Sequence, residues 1–200
     1  MRQYRWCRAA DRVTYADAHV ADSTASFACS ASRFATMSLH SVKAFLAAHA
    51  PELRVIELTA STATVALAAE AHGVEPGRIA KTLSLRVGNE VVLLVTRGDA
   101  RLDNQKFKAQ FRAKPKMLDA ADVEVETGHP VGGVSPLGLT RPLRVYLDHS
   151  LKDFDEVLPA AGAINAAVRI RPERLATLTG AEWVDVTKRA NDEAKSAAAG

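Results

Sequence analysis

The 200-residue chain is 48% hydrophobic and 24% charged, enough for one globular core without disulfide or metal staples. Its net charge of +3 does not demand a polyanionic partner, and Cys7 and Cys29 lack the CxxC or Cys/His spacing of a zinc module, so a reducing, cytoplasmic setting is expected. The longest apolar runs, such as residues 91–95, fall far short of the about 20 residues that span a bilayer, which excludes a membrane-spanning helix.

Residues 1–36 show neither a sustained apolar period nor the hydrophobic stretch of a secretory signal. They read as a poorly ordered N-terminal extension, and Met37 with the capping residue Ser38 reads as the start of a domain over residues 37–187. Residues 39–48 place Leu39, Val42, Phe45 and Leu46 on one helical face, and Pro51 stops that helix before a short strand at 54–59. A helix from Thr64 carries Val65, Leu67, Ala68 and Ala71, ends at Gly73, and turns through Pro76 and Gly77. Residues 79–87 and 90–96 form two strands joined by Gly88 and Asn89, a pair suited to a tight hairpin turn. The second is apolar on both faces and is expected at the centre of a sheet.

Asp103 caps a helix in which Phe107 and Phe111, four residues apart, face the core while the other faces are basic. A short helix at 120–126 leads into a glycine loop, and a strand at 143–147 ends at Asp148. Residues 150–158 read as a helix, 166–170 as a strand, 172–178 as a helix with proline in its first turn, and 184–186 as a strand that closes the sheet. The Ala-rich segment 188–200 reads as a frayed tail. The alternation is that of an α/β chain of the mixed α+β kind.

Two features carry chemistry. Period-2 counting puts Lys81 on one strand face with Ile79, Leu83, Leu85 and Val87, where the core should be. Such a lysine either snorkels to water or stands beside a cavity that receives a charged ligand. The loop from Gly128 to Gly138 holds four glycines and two prolines in eleven residues. It is either an ordinary turn or a shaped loop whose N–H groups converge on an oxyanion. Ser135 precedes Pro136 and has no local base, so it reads as a loop hydrogen-bonder, and His129 reads as an exposed loop residue. Asp148 lines a site or caps the next helix. Lys106, Lys108, Arg112, Lys114 and Lys116 form either a solvated face or a platform for a polyanion.

The order Ala80-Lys81-Thr82-Leu83, Gly98-Asp99, Leu102-Asp103, Thr127-Gly128, Gly132-Gly133-Val134-Ser135-Pro136-Leu137-Gly138 and Asp148 resembles the YbaK/ProX family of aminoacyl-tRNA deacylases. The family is similar to the editing insertion domain of bacterial prolyl-tRNA synthetases, and the resemblance covers residues 38–187. It implies a single YbaK-type domain with a mixed central sheet of about six to seven strands surrounded by helices. It implies trans-editing: hydrolysis of the ester of a mischarged tRNA, typically tRNA-Pro, with no cofactor and no metal. The expected partners are the tRNA acceptor end and prolyl-tRNA synthetase.

On this resemblance Lys81 matches the essential lysine and Gly132 the loop glycine that approaches the ester. The N–H groups of Gly132, Gly133 and Val134 would stabilise the oxyanion while water or the substrate's own groups attack. Thr59, Thr62, Gly128, Ser135, Pro136 and Asp148 would bind substrate, and Lys106, Lys108, Arg112, Lys114 and Lys116 would meet the tRNA. Two other readings stay open: a module of the same fold that binds tRNA or a synthetase without hydrolysis, and a hydrolase of another small ester or amide. The chain departs from cysteine-removing members, which carry a tyrosine in the first strand where this one reads Val55-Ile56-Glu57-Leu58-Thr59. Their late-strand aspartate falls at Ala167 or beside Asn165. Thr59, Ser61, Thr62 and Thr64 read instead as small polar pocket walls, suited to alanine, serine, threonine or a nonprotein analogue.

Overall fold

A computed structural model describes the backbone of residues 27–188 and the side chains of residues 38–188. The expectations for residues 1–26 and for the tail beyond Lys188 lie outside the described residues.

Helix α1 (Phe27–His49) begins upstream of the expected start. Ser38 is therefore not a cap: it lies inside the helix, and its hydroxyl donates to the Gly162 carbonyl. Val42 and Leu46 are buried one turn apart, and Pro51 follows the helix end. Strand β1 (Val55–Glu57) precedes α2 (Val65–His72), whose first turn is capped by Thr64, its hydroxyl accepting from the Leu67 N–H at 3.3 Å. Gly73 ends α2 at φ +62°, and a 3-10 turn at Pro76–Arg78 leads into β2 (Ile79–Val87). Gly88 then turns the chain into β3 (Glu90–Arg97) as the hairpin pattern predicts.

The short β4 (Arg101–Leu102) is followed by α3 (Asn104–Phe111), capped by the Asp103 carboxylate. Next come β5 (Lys116–Met117), α4 (Ala120–Thr127) and β6 (Arg144–Asp148). The helix expected over 150–158 does not form. A 3-10 turn at His149–Asp153 stops at Phe154, which takes extended backbone angles, and the chain continues as β7 (Leu158–Pro159). Tertiary pairing overrides local helix preference here: Leu158 and Pro159 lie beside Ile79 and Ala80 of β2, while Val157 bonds to Ile170. β8 (Ala166–Val168), α5 (Pro172–Thr179), β9 (Glu182–Val184) and β10 (Thr187–Lys188) complete the described chain.

The main sheet has six strands in the order β5-β2-β3-β6-β9, with β7 beside β2. β2 and β3 run antiparallel with Lys81 opposite Thr96, whereas β3–β6 and β6–β9 are parallel. The sheet is therefore mixed, and β3 is central. Val186, expected in the closing strand, lies past β9, and the chain there turns to pair β10 with β4. β1 and β8 form a separate antiparallel pair.

Both faces of β3 are buried, which accounts for its unbroken apolar run. Leu93 and Val95 pack with Leu147, Val42, Leu46 and Leu137, and Val92 and Leu94 pack with Leu85, Phe107 and Tyr146. Phe107 is fully buried, worth about 1.5–3 kcal/mol, and its ring centre lies 4.5 Å from that of Phe111 with the planes tilted by 40°. This packing anchors α3 on one sheet face and leaves α1 and the glycine loop on the other.

Candidate active site

A cavity of about 100 Å³ opens where the start of β2 meets α2, the glycine loop and the β7–β8 connection. Its wall includes Lys81 and Thr82 of β2, Gly132 and Val134 of the loop, Thr62, Thr64 and His72, and six alanines: Ala63, Ala68, Ala80, Ala160, Ala166 and Ala167.

Lys81 is half-buried, and its ammonium donates to the carbonyls of Ala100 at 2.9 Å and Gly98 at 3.3 Å. Two of its three N–H groups are thus held by the turn after β3, and the third has no partner among the described residues. Burial lowers its pKa below the ordinary lysine value; the Asp99 carboxylate opposes that shift and Arg101 adds to it. Asp99 is itself held by Arg97, which donates from Nε at 2.5 Å and from Nη2 at 2.8 Å. Burial pushes the Asp99 carboxyl up, but the hydrogen bond and charge of Arg97, with help from Lys81, leave it below the usual value.

The glycine loop is scaffolded from within. Gly128, at φ +74°, ends α4 and donates to the Glu124 carbonyl at 2.8 Å. The buried Thr127 hydroxyl donates to Val123 O at 2.7 Å and accepts from the His129 N–H at 3.0 Å. His129, expected to be exposed, is fully buried, and its Nδ1 accepts from the Ser135 N–H at 3.1 Å. That bond requires an unprotonated Nδ1, and burial pushes the imidazole pKa down against the backbone groups of Gly138 and Ser135. Ser135 Oγ in turn accepts from the Leu137 N–H at 3.1 Å.

The three loop residues expected at an oxyanion do not share one role. The Gly133 N–H donates to Pro130 O at 2.9 Å, and its carbonyl accepts from Gly162 N at 3.0 Å. A Cβ on Gly133 would lie 2.7 Å from the Ala163 carbonyl carbon, so this glycine serves close backbone packing. Its N–H is engaged and is withdrawn from the oxyanion set. The N–H groups of Gly132 and Val134 donate to no other described residue, and both residues line the cavity. Gly132 adopts φ +83°, in the left-handed region that favours glycine.

The other expected site residues divide. Thr62 is in the wall, where its N–H and hydroxyl both donate to Ile164 O, at 2.5 and 2.9 Å. Thr59 and Ser61 are exposed, and they, Gly128, Ser135 and Pro136 lie outside the wall. Asp148 is buried away from the cavity; it accepts from Ser150 N at 3.0 Å, Val186 N at 2.9 Å and the Thr187 hydroxyl at 2.7 Å. Capping and cross-linking, rather than lining, account for that carboxylate.

The wall also holds residues the sequence reading passed over. His72 Nε2 and Thr82 Oγ1 are buried with no hydrogen-bond partner among the described residues, and burial together with Arg169 lowers the His72 pKa. Val65, Ala68 and His72, spaced by three and four, all line the cavity, so helical periodicity could have found the histidine. The alanines of 160–167 carry no such signal.

The basic residues of α3 and its continuation are exposed. Lys106 is paired with Asp185 at 2.8 Å and also donates to Thr187 O at 3.0 Å. Lys108, Arg112, Lys114 and Lys116 form no ion pair with a described carboxylate. Lys108 and Lys114 flank a shallow hollow with Asn104, Gln105 and Pro115. No group of three potential metal ligands occurs among the described residues, and none of their helices is long and apolar enough to cross a membrane.

Comparison with known proteins places this geometry in a family. Residues 59–178 match the model of the aminoacyl-tRNA editing domain. The chain is 44% identical over 154 residues to YwhH of Bacillus subtilis, an uncharacterized protein, covering 76% of this chain and 98% of that one. It is 34% identical over 124 residues to EbsC of Enterococcus faecalis, named as a "putative Cys-tRNA(Pro)/Cys-tRNA(Cys) deacylase", covering 60% and 75% of the two chains. A crystal structure described as "a putative trans-editing enzyme for prolyl tRNA synthetase" superposes with a TM-score of 0.70 at 35% identity, covering 76% of this chain and 97% of that one. With its lysine, its glycine loop and these relatives, the chain belongs to the aminoacyl-tRNA editing domain family, as a member of the YbaK/ProX type.

Proposed function

We propose that this chain is an aminoacyl-tRNA deacylase that removes a small amino acid wrongly attached to tRNA-Pro. The observation that carries the reading is the meeting of Lys81 with Gly132 and Val134 on one small cavity. Attack on the ester carbonyl places negative charge on its oxygen, and the N–H groups of Gly132 and Val134, which have no described partner, are suited to receive it. Each such donor is worth about 2.7–4 kcal/mol in the transition state. The remaining N–H of Lys81 adds positive charge or fixes the terminal ribose and phosphate. Water or a group of the substrate itself supplies the nucleophile, since Ser135 lies outside the cavity wall, its hydroxyl accepts from the Leu137 N–H, and the neighbouring His129 Nδ1 is already taken by the Ser135 N–H.

The alanine wall supports a short side chain, in the range of alanine, serine, threonine or a nonprotein analogue, and it includes Ala167, one of the two places, with the neighbourhood of Asn165, where the carboxylate of cysteine-removing relatives is expected. The name of EbsC and the matching segments of proline–tRNA ligases, among them one from Desulfovibrio desulfuricans that is 31% identical over 116 residues, support tRNA-Pro as the carrier. Lys108, Arg112, Lys114 and Lys116 would hold the acceptor stem through phosphates, without reading sequence.

A panel of tRNA-Pro charged with alanine, serine, threonine, cysteine or proline tests the reading. Hydrolysis of one or more mischarged species, with proline spared, and a loss of about 10²–10³-fold in Lys81→Ala are expected. Binding without turnover would make the chain a tRNA-binding module instead.

A further inference from the structure

Lys81 hangs from the turn that follows β3, and that turn has a clamp of its own. Gly98 and Ala100 present the two carbonyls that accept from the ammonium, and Asp99 lies between them. The Asp99 carboxylate is chelated by Arg97 through both of its oxygens. The third arm of Arg97, Nη1, reaches Asp153 at 2.7 Å, and the guanidinium lies 4.9 Å from the centre of the Phe154 ring. The Arg97 side chain is only 13% exposed. Behind it, a Cβ on Gly77 would come within 2.7 Å of Nη2, so the arginine fills its slot from several sides. A Cβ on Gly98 would run into the Pro76 carbonyl, which presses the turn against the preceding 3-10 segment.

The charged groups that act on Lys81 are Asp99 and Arg101. Asp99, set between the two carbonyls that accept from the ammonium, is the anion placed to capture it, and among the described side chains Arg97 holds that carboxylate. A direct Lys81–Asp99 pair would draw the cation off the cavity and consume the donor left for substrate. From this arrangement we infer that Arg97 is a positioning residue for the reaction: by chelating Asp99 it keeps that carboxylate from Lys81 and holds the two carbonyls that aim the ammonium at the cavity. The inference rests on the deacylase reading only in taking Lys81 as the working cation.

The test uses the full chain with Arg97→Met, Asp99→Asn and their combination. With Arg97→Met, kcat on the mischarged tRNA that the wild type hydrolyses should fall on the order of 10- to 100-fold with little change in KM, as expected for a misplaced group. Titration of the Lys81 side chain by ¹⁵Nζ NMR, its signal assigned by loss in Lys81→Arg, should move upward as the freed carboxylate favours the charged form. Adding Asp99→Asn to Arg97→Met should return the titration toward the wild-type position and recover most of the lost kcat. A structural role alone predicts the opposite, since a second lesion cannot repair a collapsed turn. Failure of the double variant to recover either quantity, or a single variant with wild-type kcat, overturns the proposal. Should Arg97→Met not fold, Arg97→Gln removes the chelate while keeping much of the stem. If the wild type hydrolyses none of the charged tRNAs, the deacylase reading falls, and the NMR reversal still decides whether Arg97 shields Lys81 from Asp99.

Discussion

Gly132→Ala separates backbone strain from catalysis, because Gly73 provides a matched control. Both glycines sit in the left-handed region, at φ +83° and +62°. An L-residue there costs about 1–2 kcal/mol. A Cβ on Gly73 meets nothing within 4 Å, whereas one on Gly132 lies 3.1 Å from both the Cβ and the carbonyl oxygen of Ala63. The second contact forces a shift of a few tenths of an ångström in the loop or in Ala63 and adds up to about 1 kcal/mol. At ~2–4 °C per kcal/mol for a unit of this size, Gly73→Ala should lower the melting midpoint by about 2–8 °C and Gly132→Ala by somewhat more. Their activities should diverge far more. Displacing a transition-state donor costs about 10²–10³ in rate, so Gly132→Ala should lose that factor in single-turnover deacylation well below its midpoint, while Gly73→Ala keeps near wild-type turnover. A Gly132→Ala protein that melts early yet deacylates within about threefold of wild type would remove its N–H from the mechanism.

Asp148→Ala strands the Ser150 and Val186 N–H groups and the Thr187 hydroxyl, and should cost on the order of 3 kcal/mol in urea unfolding with kcat of the folded protein unchanged. A selective loss of kcat would return Asp148 to the substrate site. Because burial depresses the His129 pKa, the unfolded chain binds the proton more tightly than the folded one. The stabilisation is complete above the ordinary value of about 6.5 and drains away as pH falls toward the depressed folded value. Thermal melts at stepped pH should show this decline, with His72 contributing in the same direction, and His129→Asn should flatten it. Charge reversal at Lys108 and Lys114 should weaken tRNA binding and reduce its salt slope by about one for each phosphate no longer neutralised, whereas Lys106, already paired with Asp185, should matter less.

What could be read from the amino acids alone was whatever lies in short-range chemistry. Gly88-Asn89 announced the hairpin, Thr64 and Asp103 announced two helix starts, and the apolar run of β3 announced its central place. Contacts between distant segments were not readable. Ser38 looks like a cap until Gly162, 124 residues away, takes its hydroxyl, and residues 150–158 look helical until β2 offers Leu158 and Pro159 a partner. β4, β5 and β10 are two residues long, too short to carry a period. At the candidate site the split is the same. Lys81 betrays itself by breaking a strand's apolar face, and the glycines by their density. The engaged N–H of Gly133 and the burial of His129 depend on how the loop folds onto itself, and the alanines of 160–167 say nothing until the chain brings them together.

Alanine as the principal lining material makes the chamber's evolution directional. Nearly every substitution at Ala63, Ala68, Ala80, Ala160, Ala166 or Ala167 adds atoms and shrinks the space; only glycine enlarges it, and in a strand or helix glycine weakens the backbone by roughly 0.5–1 kcal/mol. Drift can therefore narrow the range of residues admitted in a single step, while broadening it toward bulkier ones requires rebuilding the scaffold behind the methyl groups.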